Sequence, residues 1–220
     1  MFRYAVAVLA AGTVLAGCSS GATATHPSTP KPVPPSALAG LLPGVADVSA
    51  VMRTAMTPHA SFSTMSDHRD LLPNLNCLGI WGVTEHAVYG TSGFTGIQGQ
   101  VLRAPDSDNW NSRVVQAAVS YLSPDAARKF FAESADRWSH CTNHRVHMSS
   151  TGNPEIYLTF GSLTKTDTEL TIPLTVGGSP PCQRALAVDN NLIIDVAACA
   201  QTISDQASSI VSKIEARIPA

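Results

Sequence analysis

Five cysteines constrain the fold of this 220-residue chain more than any other feature. Cys18 ends an uncharged apolar run at the N-terminus, whereas Cys77, Cys141, Cys182 and Cys199 are spread over the rest of the chain. An even number of cysteines outside the cytoplasm predicts disulfides, and four cysteines allow three connectivities. The fold must therefore bring together segments that lie far apart in the sequence.

The N-terminus predicts export followed by lipid attachment. Arg3 precedes an apolar run over 4–15, which is shorter than the roughly 20 residues that a membrane-spanning helix needs. The run ends in Leu15-Ala16-Gly17-Cys18, which resembles the bacterial lipobox, in which the cysteine receives acyl chains and the preceding bond is cut. We therefore predict a signal peptide at 1–17 and a lipidated Cys18, which anchors the protein at the extracytoplasmic face of the cell membrane. An ordinary secretory signal with a chance cysteine is the alternative.

The composition downstream of Cys18 predicts one tethered domain. Residues 19–36 are rich in Pro, Ser and Thr with little to bury, which indicates a polyproline-leaning tether over 18–37. The remaining 38–220 are about 180 residues, enough for one core. A formal net charge of −2 without any basic cluster argues against a nucleic-acid partner.

One disulfide follows from the pattern of a predicted hairpin. Two β-rich runs flank Asn190-Asn191, and asparagine tolerates the positive φ of a tight turn. If these two residues form the loop, 189 pairs with 192, and seven steps outward Cys182 faces Cys199 as a non-hydrogen-bonded pair. The Cα atoms of such a pair are about 4.5 Å apart, which a disulfide can bridge. The other bridge is then Cys77 with Cys141.

The remaining pattern predicts an α+β fold with a mainly antiparallel sheet. Ser123-Pro124-Asp125 is typical of a helix start, and that helix buries 127, 130, 131, 134 and 138. Apolar periodicity predicts the other elements: helical pieces split at Pro43-Gly44, an irregular loop over 55–74, a helix over 80–89, strands at 94–104, 112–122, 144–149, 155–163 and 168–176, and a last helix over 203–217.

Three segments resemble one known family. They are residues 88–100 (VYGTSGFTGIQGQ), 114–119 (VVQAAV) with the helix that follows it, and 182–195 (CQRALAVDNNLIID). Together with the four cysteines they resemble the PknH-like extracellular domain over about 38–218. That domain occurs as the sensor of a mycobacterial serine/threonine kinase and in stand-alone lipoproteins. The resemblance implies a twisted antiparallel sheet packed against helices, the same two disulfides, and a cleft for an unidentified ligand.

Arg184 and Asp195 are the candidate site residues. In the predicted register they are diagonal neighbours on the face of Cys182, within reach of a salt bridge. The pair either supports the fold, which is the stronger interpretation, or binds a ligand in the cleft. Four aromatic residues either line this cleft or belong to the core, and core is the safer expectation for any one of them: Trp81, Tyr89, Phe94 and Trp110.

Catalytic and metal-binding patterns are weak. Ser92 lacks the glycine spacing of a nucleophile elbow, and we interpret it as part of a turn. His140, His144 and His147 have spacings that zinc uses, but they pass from a helix end into a strand, which scatters the imidazoles. We expect no cofactor, no metal and no enzyme activity.

Two functional hypotheses remain. The first is a noncatalytic, sensor-like module of the cell envelope that binds a small molecule, a glycan or a lipid. The second is a protein-interaction module that docks on an envelope protein, such as the outer domain of a membrane kinase.

Overall fold

The computed structural model describes residues 30–148 and 156–219. Its helices are α1 (Leu38–Leu41), α2 (Val45–Met52), α3 (Leu75–Trp81), α4 (His86–Tyr89), α5 (Pro124–Ser139) and α6 (Gln206–Glu215). Its strands are β1 (Thr57–Phe62), β2 (Phe94–Ala104), β3 (Ser112–Tyr121), β4 (Arg145–Met148), β5 (Ile156–Phe160), β6 (Thr164–Lys165), β7 (Glu169–Val176), β8 (Cys182–Asp189) and β9 (Leu192–Cys199).

The strands form one antiparallel sheet in the order β1-β2-β3-β9-β8-β7-β5-β4, and β6 pairs with β7. The centre of the sheet is the β8–β9 hairpin, in which Asp189 pairs with Leu192 and Cys182 with Cys199. The Cα atoms of these cysteines are 4.0 Å apart, and a disulfide joins them. The α+β prediction, the hairpin register and this bridge are confirmed.

Helices cover both faces of the sheet. Helices α3, α4 and α5 share a core with one face, to which Leu186, Val188 and Ile193 point. The opposite face packs against α1, α2 and α6, because alternating residues of the central strands point there. Strands buried on both faces are apolar nearly throughout, and β9 fits this pattern with Asp195 as its one polar residue.

Helix α5 is capped and fastened as predicted. The Ser123 hydroxyl oxygen accepts a hydrogen bond from the backbone N–H of Ala126 at 3.2 Å, and a proline occupies the first turn. The predicted face is buried. Cys141, just after this helix, forms a disulfide with Cys77 in α3, so the bridge holds the two helices together.

Two predicted segments have a different structure. Residues 57–62, which we expected to be irregular, form the edge strand β1; its side chains are almost all exposed, so no apolar alternation marks it. The helix expected over 80–89 is two short helices, because the chain turns between Gly82 and Glu85, where Thr84 has φ of 54°. A positive φ is rare for a β-branched residue and has to be held by surrounding contacts.

The domain begins before residue 38. Val33 is 4% exposed and belongs to the core under α1 and α2, although the sequence places it in the tether. The Asn191 side chain at the β8–β9 turn accepts a hydrogen bond from Val33 N–H at 2.7 Å and donates one to Val33 O at 3.1 Å. Residues 33–37 therefore pack on the domain. The predicted signal peptide and Cys18 lie outside the described residues.

Among the residues with described structure, no single helix is long and apolar enough to cross a membrane. One pair of helical segments, Pro35–Leu41 and Val45–Met52, is together long and apolar enough to cross a membrane, by length and composition only, and it is bent by 50°.

Candidate functional site

A cleft opens on the face of the sheet that carries α3 and α5. It consists of two adjoining cavities of about 160 Å³ and 350 Å³, which share Trp81, Arg113 and Ala197. We name them the Trp110 cavity and the Glu85 cavity. The Trp110 cavity is lined by Trp81, Trp110, Arg113, Leu174, Val176, Ser179, Cys182, Arg184, Ala197 and Cys199. The Glu85 cavity is lined by Phe62, Thr64, Met65, Ser66, His68, Trp81, Gly82, Val83, Thr84, Glu85, Val101, Arg113, Val115 and Ala197.

The floor of the cleft follows from the strand register. Val101 pairs with Val115, and Val115 pairs with Ala197, so these three side chains form a row across β2, β3 and β9. Arg184 of β8 continues the row beside Ala197. Because Ala197 is small, the row leaves open space above the sheet between Val115 and Arg184.

The predicted pair of Arg184 and Asp195 is present and buried. The Arg184 Nη2 atom lies 2.6 Å from Asp195 Oδ1, and the two side chains are 0% and 1% exposed. The guanidinium also donates to the carbonyl oxygens of Ile80, at 2.6 Å, and Val196. Longer contacts reach the carbonyls of Gly79 and Gly82. Each of the three guanidinium nitrogens thus has at least one acceptor, and the charge is paired with a carboxylate.

Asp195 fixes the turn that shapes the cleft wall. Its Oδ2 atom accepts hydrogen bonds from Thr84 N–H at 2.9 Å and from the Tyr89 hydroxyl at 3.0 Å. These bonds hold the turn and α4, whereas Arg184 holds the end of α3 through the Ile80 carbonyl. Burial and the neighbouring Asp195 carboxylate raise the pKa of Tyr89 well above its ordinary value, so the hydroxyl stays protonated and donates. The pair therefore supports the fold and positions Trp81.

Glu85 and His68 form a second polar pair in the cleft. The Glu85 side chain is 1% exposed, and its Oε1 atom lies 2.6 Å from His68 Nδ1. Its Oε2 atom accepts from His68 N–H at 3.0 Å. Burial raises the pKa of Glu85, and the hydrogen bond from His68 opposes this shift. Gly82 is required beside it, because a Cβ there would lie 2.3 Å from Glu85 Oε1.

Arg113 is a charged group of the cleft that lacks a polar partner among the described residues. Within residues 30–148 and 156–219, its side chain has no hydrogen bond or ion pair, and its Nε atom is buried. Its nearest aromatic contact is the Trp110 ring, with the guanidinium carbon 6.0 Å from the ring centroid. Burial and the charge of Arg103, its partner across the strands, lower the pKa of Arg113. A guanidinium remains protonated at neutral pH even so.

The other sequence candidates lie elsewhere or have structural roles. Ser92 is in the turn after α4, and its hydroxyl lies 3.0 Å from the Tyr121 hydroxyl. Tyr89 is buried, whereas Phe94 packs partly against the core. Of the four aromatic residues, Trp81 and Trp110 line the cleft. No group of three or more His, Cys, Asp or Glu side chains suited to a metal ion occurs in the described part of the chain, which includes His140, His144 and His147.

Sequence reasoning missed Arg113, His68 and Glu85. Arg113 carries a detectable signal, because it falls in phase with Val115, Ala117 and Val119 on one face of β3, where a charge is unexpected. Nothing comparable marks the other two residues, since their pairing depends on a turn that long-range contacts create.

The fold and the site define a disulfide-stabilised domain in which helices cover both faces of an antiparallel sheet and a cleft opens on one of them. The sequence model of the PknH-like extracellular domain matches residues 33–217. The chain belongs to this family.

Relatives and a solved structure agree with this assignment. The chain is 32% identical to the serine/threonine-protein kinase PknH of Mycobacterium bovis over 188 residues, which are 84% of this chain and 31% of the kinase. The same figures for PknH of Mycobacterium tuberculosis are 32%, 84% and 30%. The chain thus spans about a third of the length of these relatives. The crystal structure of the extracellular domain of PknH from Mycobacterium tuberculosis is similar, with a TM-score of 0.78 and 31% identity over 86% of this chain and 97% of that one.

Proposed function

We propose that this protein is a noncatalytic, sensor-like module of the cell envelope that binds a small molecule, a glycan or a lipid in its cleft. The observation that carries the proposal is the cleft itself, which combines an apolar floor with two indoles and a few polar groups. Ligand sites in proteins typically have this composition and volumes of roughly 300–1,000 Å³. The family relationship to an extracellular domain of a kinase supports a role outside the cytoplasm.

The walls of the cleft are held in place before any ligand arrives. The Arg184–Asp195 pair fixes the backbone around Trp81, and the disulfide of Cys77 and Cys141 fastens α3 to the end of α5. A preformed site loses less conformational entropy on binding than a flexible one. This rigidity suits binding without chemistry.

Ligand recovery tests the proposal. The related extracellular domain was crystallised apart from its kinase, so we expect a soluble chain of residues 19–220 to fold alone. This chain is incubated with envelope extract and examined by native mass spectrometry. An Ala197→Phe variant fills the floor of both cavities, and a Lys129→Phe variant on the exposed face of α5 is the matched control. We expect a bound compound with the wild type and the control but not with Ala197→Phe.

Equal recovery by all three proteins would place binding outside the cleft, and recovery by none would contradict the proposal. The alternative, docking on an envelope protein, predicts no recovered compound and a single discrete adduct after crosslinking in intact cells. The two proposals therefore give opposite results in one pair of experiments.

Lipid attachment at Cys18 is a further part of the proposal, supported by the lipobox-like sequence. In a bacterial host, the wild type is expected in the membrane fraction with an acylated N-terminal cysteine. A Cys18→Ala chain is expected to lose the acyl mass and leave that fraction. A Cys18→Ala chain that stays membrane-bound, together with an unmodified wild type, would refute the anchor.

A further inference from the structure

We propose that the cleft recognises its ligand through an anionic group, a carboxylate or a phosphate ester, which pairs with Arg113 in the Trp110 cavity. This inference rests on the proposed function and names the chemistry of the ligand.

The charge of the two cavities directs an anion to one of them. Among the described residues, the lining of the Trp110 cavity contains two guanidinium groups, Arg113 and Arg184, and no carboxylate. Arg184 is already paired with Asp195, whose side chain is buried behind it. The Glu85 cavity contains a carboxyl group, which disfavours a second anion nearby. An anion is therefore best placed beside Arg113.

Arg113 is built into the fold as an unpaired cation. Neighbouring Arg103 has a partner, with its Nη1 atom 3.2 Å from Asp108 Oδ1, whereas Arg113 has none among the residues whose structure is described. Partly burying a charge without a partner costs free energy, so a domain optimised only for stability has no reason to keep it. The contact with Trp110 lies at the outer limit of about 6 Å for a cation–π interaction and compensates little.

The chemistry of arginine selects the anion. A guanidinium presents a planar fork of N–H donors, which matches a carboxylate or a phosphate bidentately. In a partly enclosed cavity such a charge-assisted hydrogen bond is stronger than it is in water. The anion would thus supply the partner that the fold leaves out.

The rest of the ligand extends over Trp81 into the larger cavity. Trp81 lines both cavities, and the floor beneath the second one is the apolar row of Val101, Val115 and Ala197. Indoles favour flat or apolar partners. The predicted ligand is therefore an acid with an apolar or ring-shaped body.

A matched series of probes tests the inference: 2-naphthoate, 2-naphthyl phosphate and uncharged 2-naphthalenemethanol, which share one ring system. Each is titrated into the 15N-labelled chain of residues 19–220, and the indole N–H signals of its three tryptophans are followed. Trp81 and Trp110 report on the cleft, whereas Trp138, which is 2% exposed, is an internal control. Arg113→Met removes the charge with little change in volume, and Lys129→Met is the charge-matched control.

We expect both anions to bind the wild type about tenfold or more tightly than the alcohol, because a charge-assisted hydrogen bond contributes at least that factor. Arg113→Met should abolish the difference in affinity between the two anions and the alcohol. Lys129→Met should behave as the wild type. The tighter of the two anions then indicates whether the natural group is a carboxylate or a phosphate.

Equal affinities for all three probes, unaltered by Arg113→Met, would overturn anion recognition while leaving ligand binding in the cleft intact. Probes that shift neither Trp81 nor Trp110 would overturn this inference and count against the proposed function as well. Because Arg113→Met removes an unpaired, partly buried cation, its thermal midpoint should equal or exceed that of the wild type, so a folding defect does not obscure the result.

Discussion

Replacing Arg184 by methionine tests the most consequential interaction in the domain. The Asp195 carboxylate is 1% exposed in the wild type. In the variant it would keep two hydrogen-bond donors, Thr84 N–H and the Tyr89 hydroxyl, and lose its charged partner. It also deprives the carbonyl oxygens of Ile80 and Val196 of their side-chain donor. Removing one partner of a buried ion pair costs about 3–5 kcal/mol, because the remaining charge has lost its compensation.

That cost is large beside the roughly 5–15 kcal/mol by which domains are stable. For a domain of this size each kcal/mol shifts the thermal midpoint by about 2–4 °C, so we expect a fall of about 6–20 °C. Urea unfolding of residues 19–220 with intact disulfides, followed by far-ultraviolet circular dichroism, measures the free energy directly. Lys129→Met is the control and should change the free energy by less than about 0.5 kcal/mol.

A double-mutant cycle shows whether the uncompensated charge is the cause. Asp195→Asn keeps an oxygen acceptor but removes the charge, so Arg184→Met combined with Asp195→Asn should cost clearly less than the two single changes added together. Contacts of this kind have coupling energies of about 0.5–3 kcal/mol. If Arg184→Met costs less than about 1 kcal/mol, or if the single effects are additive, the pair does not hold the cleft wall as described.

Three further predictions concern stability. Burial raises the pKa of Glu85 above the ordinary 4.5, so the native state holds a proton that the unfolded chain releases. The free energy of unfolding should therefore fall as the pH rises from 4.5 through the pKa of the native state. Glu85→Gln should remove this decline, measured as urea midpoints at a series of pH values. Replacing Cys77 and Cys141 by alanine opens a loop with a sequence separation of 64 and should cost about 4 kcal/mol in chain entropy, measured by the same unfolding assay. Asn191→Ala deprives Val33 of both its hydrogen bonds and should cost about 1–3 kcal/mol, with faster amide hydrogen exchange at Val33.

Each of these predictions has a contrary result. An unchanged dependence on pH in Glu85→Gln would show that another carboxyl group, such as the partly buried Glu215, dominates this range of pH. A loss below about 1 kcal/mol without the first disulfide would mean that α3 and α5 hold together by packing alone. Unaltered exchange at Val33 would show that the turn does not retain the segment before α1.

The hairpin of β8 and β9 could be predicted because its information is local. A two-residue turn fixes the register, and the positions of Cys182 and Cys199 then follow from counting. Arg184 and Asp195 share the face of these cysteines for the same reason, so their contact was within reach of sequence analysis. Helix α5 carries an equally local start signal in Ser123 and Pro124.

Strand β1 and the cleft could not be predicted in this way. An edge strand whose side chains face solvent has no apolar alternation, and its pairing is decided by the backbone of β2. The break in the helix expected over 80–89 arises from Thr84, whose backbone bonds to a residue 111 positions away. Local propensity carries no information about such a long-range contact. Without the break between the two helices, Glu85 and Trp81 would not line the same cavity.

The attachment of Val33 to the β8–β9 turn determines where the chain enters the domain relative to the cleft. The chain enters the domain at the Asn191 end of the hairpin, whereas the cleft lies over its Cys182–Cys199 end, on the opposite face of the sheet. The eight residues of β8 separate these ends by about 23 Å. An anchor placed before Val33 would therefore pull on the domain at the end of the hairpin away from the cleft.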